Sequence, residues 1–125
     1  MQENLKECLS SFVVDVLLLQ QTIREKSPAF QEIKKYLITA VTCCEASYLA
    51  SQRATSKADF KANIAICLAE IREANYWLRV LREAQIGDID IEDLLINESL
   101  RLKNSFERFG RAFGKRQLQT NSVAA

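Results

Sequence analysis

The side chains that could do chemistry are few, and the absences weigh as much as the presences. The chain contains no histidine, which removes the commonest general base and a common metal ligand. The Glu-x-x-His pairs that build di-iron centres in helical bundles therefore cannot occur. There is no glycine-rich phosphate loop and no G-x-S-x-G elbow. Asp88, Asp90, Glu92 and Asp93 form an acidic cluster that could hold a divalent cation. The cluster falls at the start of a helical stretch, where carboxylates cap free amides and complement the positive dipole end, and capping is the reading adopted. Cys43 and Cys44 are adjacent and lack the C-x-x-C spacing of zinc and redox sites. The sequence thus predicts no catalytic residue, no metal, no cofactor and no enzymatic activity.

Cations are the sharper signal. Phosphate recognition needs Lys and Arg clustered on one surface. Lys61, Arg72 and Arg79 form a row on one helical stretch, extended by Arg82. Arg101, Lys103, Arg108, Arg111, Lys115 and Arg116 form a second group, opposed only by Glu107 between positions 101 and 116. Phe106, Phe109 and Phe113 interleave that group and could stack bases. Their helical spacing reads instead as core. The candidate nucleic-acid-binding residues are Lys61, Arg72, Arg79, Arg82, Arg101, Lys103, Arg108 and Arg111. The formal net charge is only +1, so no global field steers anionic partners.

The elements that position these residues are helices. One proline and three glycines in 125 residues leave room for long uninterrupted ones. Phe60, Ile64, Cys67, Ile71, Ala74, Leu78 and Leu81 recur in alternating steps of four and three, a heptad seam for knobs-into-holes packing. Ser56 is the expected N-cap, with Asp59 three residues on as an acidic variant of the capping box. Gly87 is the expected left-handed stop. Roughly opposite the seam lies a second apolar stripe of Ala62, Ile66, Ala69, Tyr76, Trp77 and Val80, with Glu73 among them. A helix in a monomeric bundle needs one buried stripe. A second one implies a wide core or a neighbouring subunit, unless Tyr76 and Trp77 merely cap the monomer's rim. We take Ala62, Ile66, Ala69, Glu73, Tyr76, Trp77 and Val80 as candidate oligomer-interface residues.

The first helix is expected over about 3–26, with Leu5, Leu9, Phe12, Val16, Leu19 and Ile23 as its seam. Ser27–Pro28 punctuates the chain, Ser27 as N-cap and Pro28 at the first helical position. The second helix follows over 28–53, with the stripe Phe30, Ile33, Leu37, Ala40, Cys44 and Tyr48. Its middle is rich in small residues that permit close helix approach. The third spans 57–86. The fourth spans 91–113, with Ile91, Leu95, Leu102, Phe106, Phe109 and Phe113 as seam, interrupted by Glu98. Residues 117–125 read as a small, polar, disordered tail. Short connections favour antiparallel neighbours, so the expected fold is an all-α, up-down-up-down four-helix bundle over 1–116. The polar start and the break of the first apolar run by Asp15 argue against a signal peptide. No run approaches the roughly 20 residues needed to span a bilayer. Reduced thiols and a cytoplasmic location follow, with no membrane partner.

The third helix also carries a resemblance. Ser56, Asp59, Phe60, Ile64, Ile66, Ala69, Ile71, Glu73 and Leu78 fall without a gap into a pattern close to S-x-x-E-F, alternating apolar positions, then small-S-L-x-E. Gly87-Asp88-Ile89 resembles the G-Y-I turn that follows. The pattern is similar to that of the four-helix bundle family of proteins encoded in 23S rRNA intervening sequences, related to the accessory variability determinants of diversity-generating retroelements. The family's S-x-P-A-N-I-A-E-G segment should fall near Cys43–Ser51, where only Ala46 matches. The resemblance implies a homopentameric barrel of bundles. It further implies RNA or DNA binding and, as in the retroelement relatives, association with a reverse transcriptase. The alternative is a structural or protein-interaction module that binds no nucleic acid.

Overall fold

The structure is a computed structural model that describes the backbone of residues 2–124 and the side chains of residues 5–111. Four helices follow one another: α1 (Gln2–Thr22), α2 (Pro28–Gln52), α3 (Lys57–Glu83) and α4 (Ile89–Ala124). No strand occurs among the described residues. Each helix packs on its two neighbours in a four-membered ring, α1 on α2, α2 on α3, α3 on α4 and α4 back on α1, without close backbone approach across either diagonal. The fold is the expected all-α four-helix bundle. Phe113, Lys115, Arg116 and the expected tail 117–125 lie outside the residues whose side chains are described.

Local chemistry sets the helix ends. Ser27, with extended backbone, accepts a hydrogen bond from Phe30 N at 3.2 Å through its Oγ. Pro28 then occupies a position whose amide would be unpaired in any case. α1 ends at Thr22, whose Oγ1 donates to Leu19 O at 2.6 Å, rather than near Lys26, and 23–27 form the connection, with Ser27 held out of the helical region by Pro28. Ser56 Oγ caps α3 by accepting from Asp59 N at 3.1 Å.

The end of α3 differs from expectation. Gln85, not Gly87, takes the first left-handed position, with φ 59°. Gln85 N donates to Arg82 O and Ile86 N donates to Leu81 O, at 3.1 and 2.9 Å. These two bonds make a Schellman motif around Ala84 as C-cap. Gly87, with φ 99°, serves the following turn. A Cβ there would stand 2.6 Å from Glu92 Oε2 and 3.0 Å from Ile23 Cδ1. Asp88 Oδ1 then accepts from Asp90 N and Ile91 N, so α4 begins at Ile89, two residues earlier than its apolar pattern indicates.

The seams of α1, α2 and α3 are buried as expected, Ile23 and Ile33 only partly. The α4 seam is shifted. Ile91 is exposed, while Glu92, Leu95, Ser99, Leu102 and Phe106 point inward. Glu98 stands beside the seam and pairs with Arg101 at 2.9 Å. Two polar residues on the true inner row hid that row from a reading built on apolar spacing.

Candidate functional site

The acidic cluster disperses into separate duties. Asp88 caps α4, and Asp93 forms an ion pair with Arg82 of α3. Glu92 is fully buried, and neither carboxylate oxygen has a hydrogen-bond partner. Burial, then the nearby Asp88 and Asp93, push its carboxyl up to about 7. No group of three or more His, Cys, Asp or Glu side chains suited to a metal occurs among the described residues.

The eight candidate phosphate-binding cations do not form one surface. On the α3–α4 side, Arg72 pairs with Glu107 at 3.8 Å and Lys103 reaches the same carboxylate at 4.0 Å. Arg82 is held by Asp93. Arg101 lines a groove between α1 and α4 with Glu7, Asp15 and Leu94, on the other flank of α4. Arg108, one heptad beyond Arg101, follows the same flank. Lys61, Arg79 and Arg111 are exposed and enter no ion pair among the described residues. The carboxylates that answer these cations across helices were not predictable from position along the chain.

The candidate interface residues lie on or beside the α2–α3 face. Ala62, Ala69 and Glu73 are exposed, Ile66 is 45% exposed and Tyr76 57% exposed. Trp77 and Val80 are half-buried. Trp77 stacks on Tyr36 of α2, with centroids 5.2 Å apart and planes 24° from parallel. Tyr76 meets it edge-on at 4.8 Å. Trp77 Nε1 is buried without an acceptor. Tyr36, itself 48% exposed, extends the stripe onto α2. It was missed because it sits beside, not on, the apolar row of α2. Burial and then the neighbouring Glu73 push the Glu70 carboxyl upward on this face.

A second group of exposed apolar side chains stands across the bundle. Val14 and Leu18 are each 51% exposed on the outward row of α1, and Leu94 is 65% exposed on the adjoining flank of α4. In a four-membered ring of helices the α1–α4 side is opposite the α2–α3 side.

The described cysteines are free thiols, Cys8 and Cys43 exposed, Cys44 and Cys67 buried. No helix among the described residues is long and apolar enough to cross a membrane.

Neither a family model nor a curated protein sequence matches this chain. Among solved structures, the chain is similar to a protein of unknown function from the S23 ribosomal protein family of Bacteroides thetaiotaomicron VPI-5482. The TM-score is 0.76 at 22% identity, over 89% of this chain and 99% of that one. At that identity the likeness shows the fold, a four-helix bundle whose source is consistent with the family resemblance read from α3.

Proposed function

We propose that this chain is a non-enzymatic assembly module, a cytoplasmic bundle that joins copies of itself into a closed ring. One observation carries the reading: two separate apolar surfaces stand on opposite sides of the bundle, Tyr36, Ile66 and Tyr76 on one and Val14, Leu18 and Leu94 on the other. Two unlike faces that pair head to tail form a heterologous interface, which generates a ring when the rotation closes. The family resemblance suggests five copies.

The test is light scattering at micromolar concentration, joined to mixing. Wild type is expected as a closed oligomer. Ile66→Glu with Tyr76→Glu, and separately Leu18→Glu with Leu94→Glu, should each give helical monomers. Each variant keeps one intact face, so an equal mixture of the two should give dimers and nothing larger. A monomeric wild type overturns the proposal.

A second reading adds nucleic-acid binding to the same assembly. The unpaired Lys61 and Arg79 favour it, because a short cationic row repeated around a ring becomes a multivalent surface. RNA binding whose affinity falls with salt, and falls again in Lys61→Glu with Arg79→Glu, is the expected result. Absence of binding at low salt would remove this addition and leave the assembly untouched.

A further inference from the structure

Between the first half of α3 and the far half of α4 runs an apolar groove of about 440 Å³, within the range of small-molecule sites. Ile64 and Leu68 floor it, with Phe60 and Phe106 buried beneath them. Two small residues keep it open. Ala65 lines it from an exposed position, and at Gly110 a Cβ would come within 3.2 Å of Ile64 Cγ2. Bundle seams of this kind are ordinarily closed by interdigitating side chains.

The rim is cationic. Lys57 and Lys61 stand one helical turn apart on the α3 edge, and Arg111 lies on the α4 edge. None of the three enters an ion pair among the described residues. The one carboxylate on the lining, Glu107, is already shared by Arg72 and Lys103. Like charges at a spacing of four residues repel, and the Lys57 ammonium is pushed down by desolvation and then by Lys61. An anion placed between them would offset the repulsion.

We infer that this groove binds a single-chain anionic amphiphile, a free fatty carboxylate whose chain lies along Ile64, Ala65 and Leu68 and whose head group is held by Lys57, Lys61 and Arg111. The floor selects this chemistry over a nucleotide. Phe60 and Phe106 lie beneath the floor, fully buried, so neither ring is presented as a platform on which a base could stack. The inference is independent of the assembly reading, which uses other faces.

The experiment is calorimetric titration of the full chain with dodecanoate, kept below its micellar concentration. One saturable site per chain is expected, with acetate and dodecyltrimethylammonium each at least about tenfold weaker. Lys57→Glu with Lys61→Glu should lose the site by removing the head-group contacts. Ala65→Trp should lose it by filling the groove from an exposed position, with helicity by circular dichroism unchanged. The monomeric Ile66→Glu, Tyr76→Glu variant should keep it. No saturable binding, equal binding of the cationic amphiphile, or binding that survives Ala65→Trp overturns the inference. Displacement of bound dodecanoate by an RNA oligonucleotide would also overturn it, by assigning the groove to nucleic acid.

Discussion

Cys44 and Cys67 exchange hydrogen bonds across the α2–α3 seam. The Cys44 thiol donates to Cys67 O at 3.6 Å, and the Cys67 thiol donates to Cys44 O at 3.5 Å. A side chain of one sulfur atom reaches the neighbouring main chain only when two helices lie very close. The residues around the pair permit this, since Ala40 and Ala74 are also fully buried on the same seam. The small-residue middle of α2 is therefore the packing surface for α3.

A larger side chain at this crossing forces the helices apart. Cys67→Leu is expected to cost about 1–3 kcal/mol by overpacking. Cys67→Ser keeps the volume and a donor, and should cost less. Urea unfolding of the two variants checks the order. Thiol labelling gives a second readout: Cys8 and Cys43 should react quickly, whereas Cys44 and Cys67 should react only on opening. The Cys44 thiol is pushed up by its hydrogen-bonded contact with Cys67 and then by burial, which withholds the reactive thiolate.

Glu92 makes stability depend on pH with a sign opposite to that of a paired carboxylate. Its folded value of about 7 lies above the ordinary 4.5. The unfolded chain therefore loses this proton first as pH rises. The folded state is favoured below 4.5, loses that advantage between 4.5 and 7, and gains nothing back above 7. The expected loss is about 3 kcal/mol. Glu92→Gln should flatten the difference between unfolding free energies at pH 5 and pH 8. An unchanged pH profile in that variant would show that Glu92 does not titrate in this window.

The two left-handed positions after α3 should respond in opposite directions. Gln85→Gly removes the Cβ penalty at φ 59° and should stabilise by about 0.5–1 kcal/mol. Gly87→Ala meets both an unfavourable φ and the Glu92 carboxylate, and should cost about 2 kcal/mol or more. Thermal unfolding of both variants in one buffer makes the comparison.

Trp77 separates the monomer from the assembly. Its ring is bound to Tyr36 within one chain, so Trp77→Ala should lower the stability of even the monomeric variant, by about 2 kcal/mol. Tyr76→Ala loses only an edge contact with Trp77 from a mostly exposed position and should cost the monomer less, about 0.5–1 kcal/mol. Chemical denaturation in the monomeric Leu18→Glu, Leu94→Glu background checks both; light scattering of Tyr76→Ala checks its effect on association.

The bundle was legible because apolar spacing and caps agree along three of its helices. Ser27, Ser56 and the seam from Phe60 to Leu81 sit where their types and intervals place them. The α4 register was not legible, because Glu92 and Ser99 occupy inner positions that polar residues seldom take. Ser99 is satisfied only in three dimensions, accepting from Asn75 of α3 at 2.9 Å and donating to Ile96 O at 2.6 Å. The cationic row was legible as a row on α3. Its neutralisation by Asp93 and Glu107 was not, because those partners come from α4. Tyr36 escaped notice for the same reason, since a ring stacked across a seam leaves no periodic trace.

The uneven closeness of the four seams bears on how the molecule comes apart. The backbones of α2 and α3, and of α3 and α4, approach closely, whereas α1 is held to α2 and α4 at longer range by large side chains such as Leu9, Phe12 and Leu19. Lifting α1 away exposes these apolar side chains but breaks no close main-chain packing, whereas parting α2 from α3 costs both. The first segment is thus expected to be the first to open while the remaining three helices keep their register, so amides of α1 should exchange with solvent faster than those of α3.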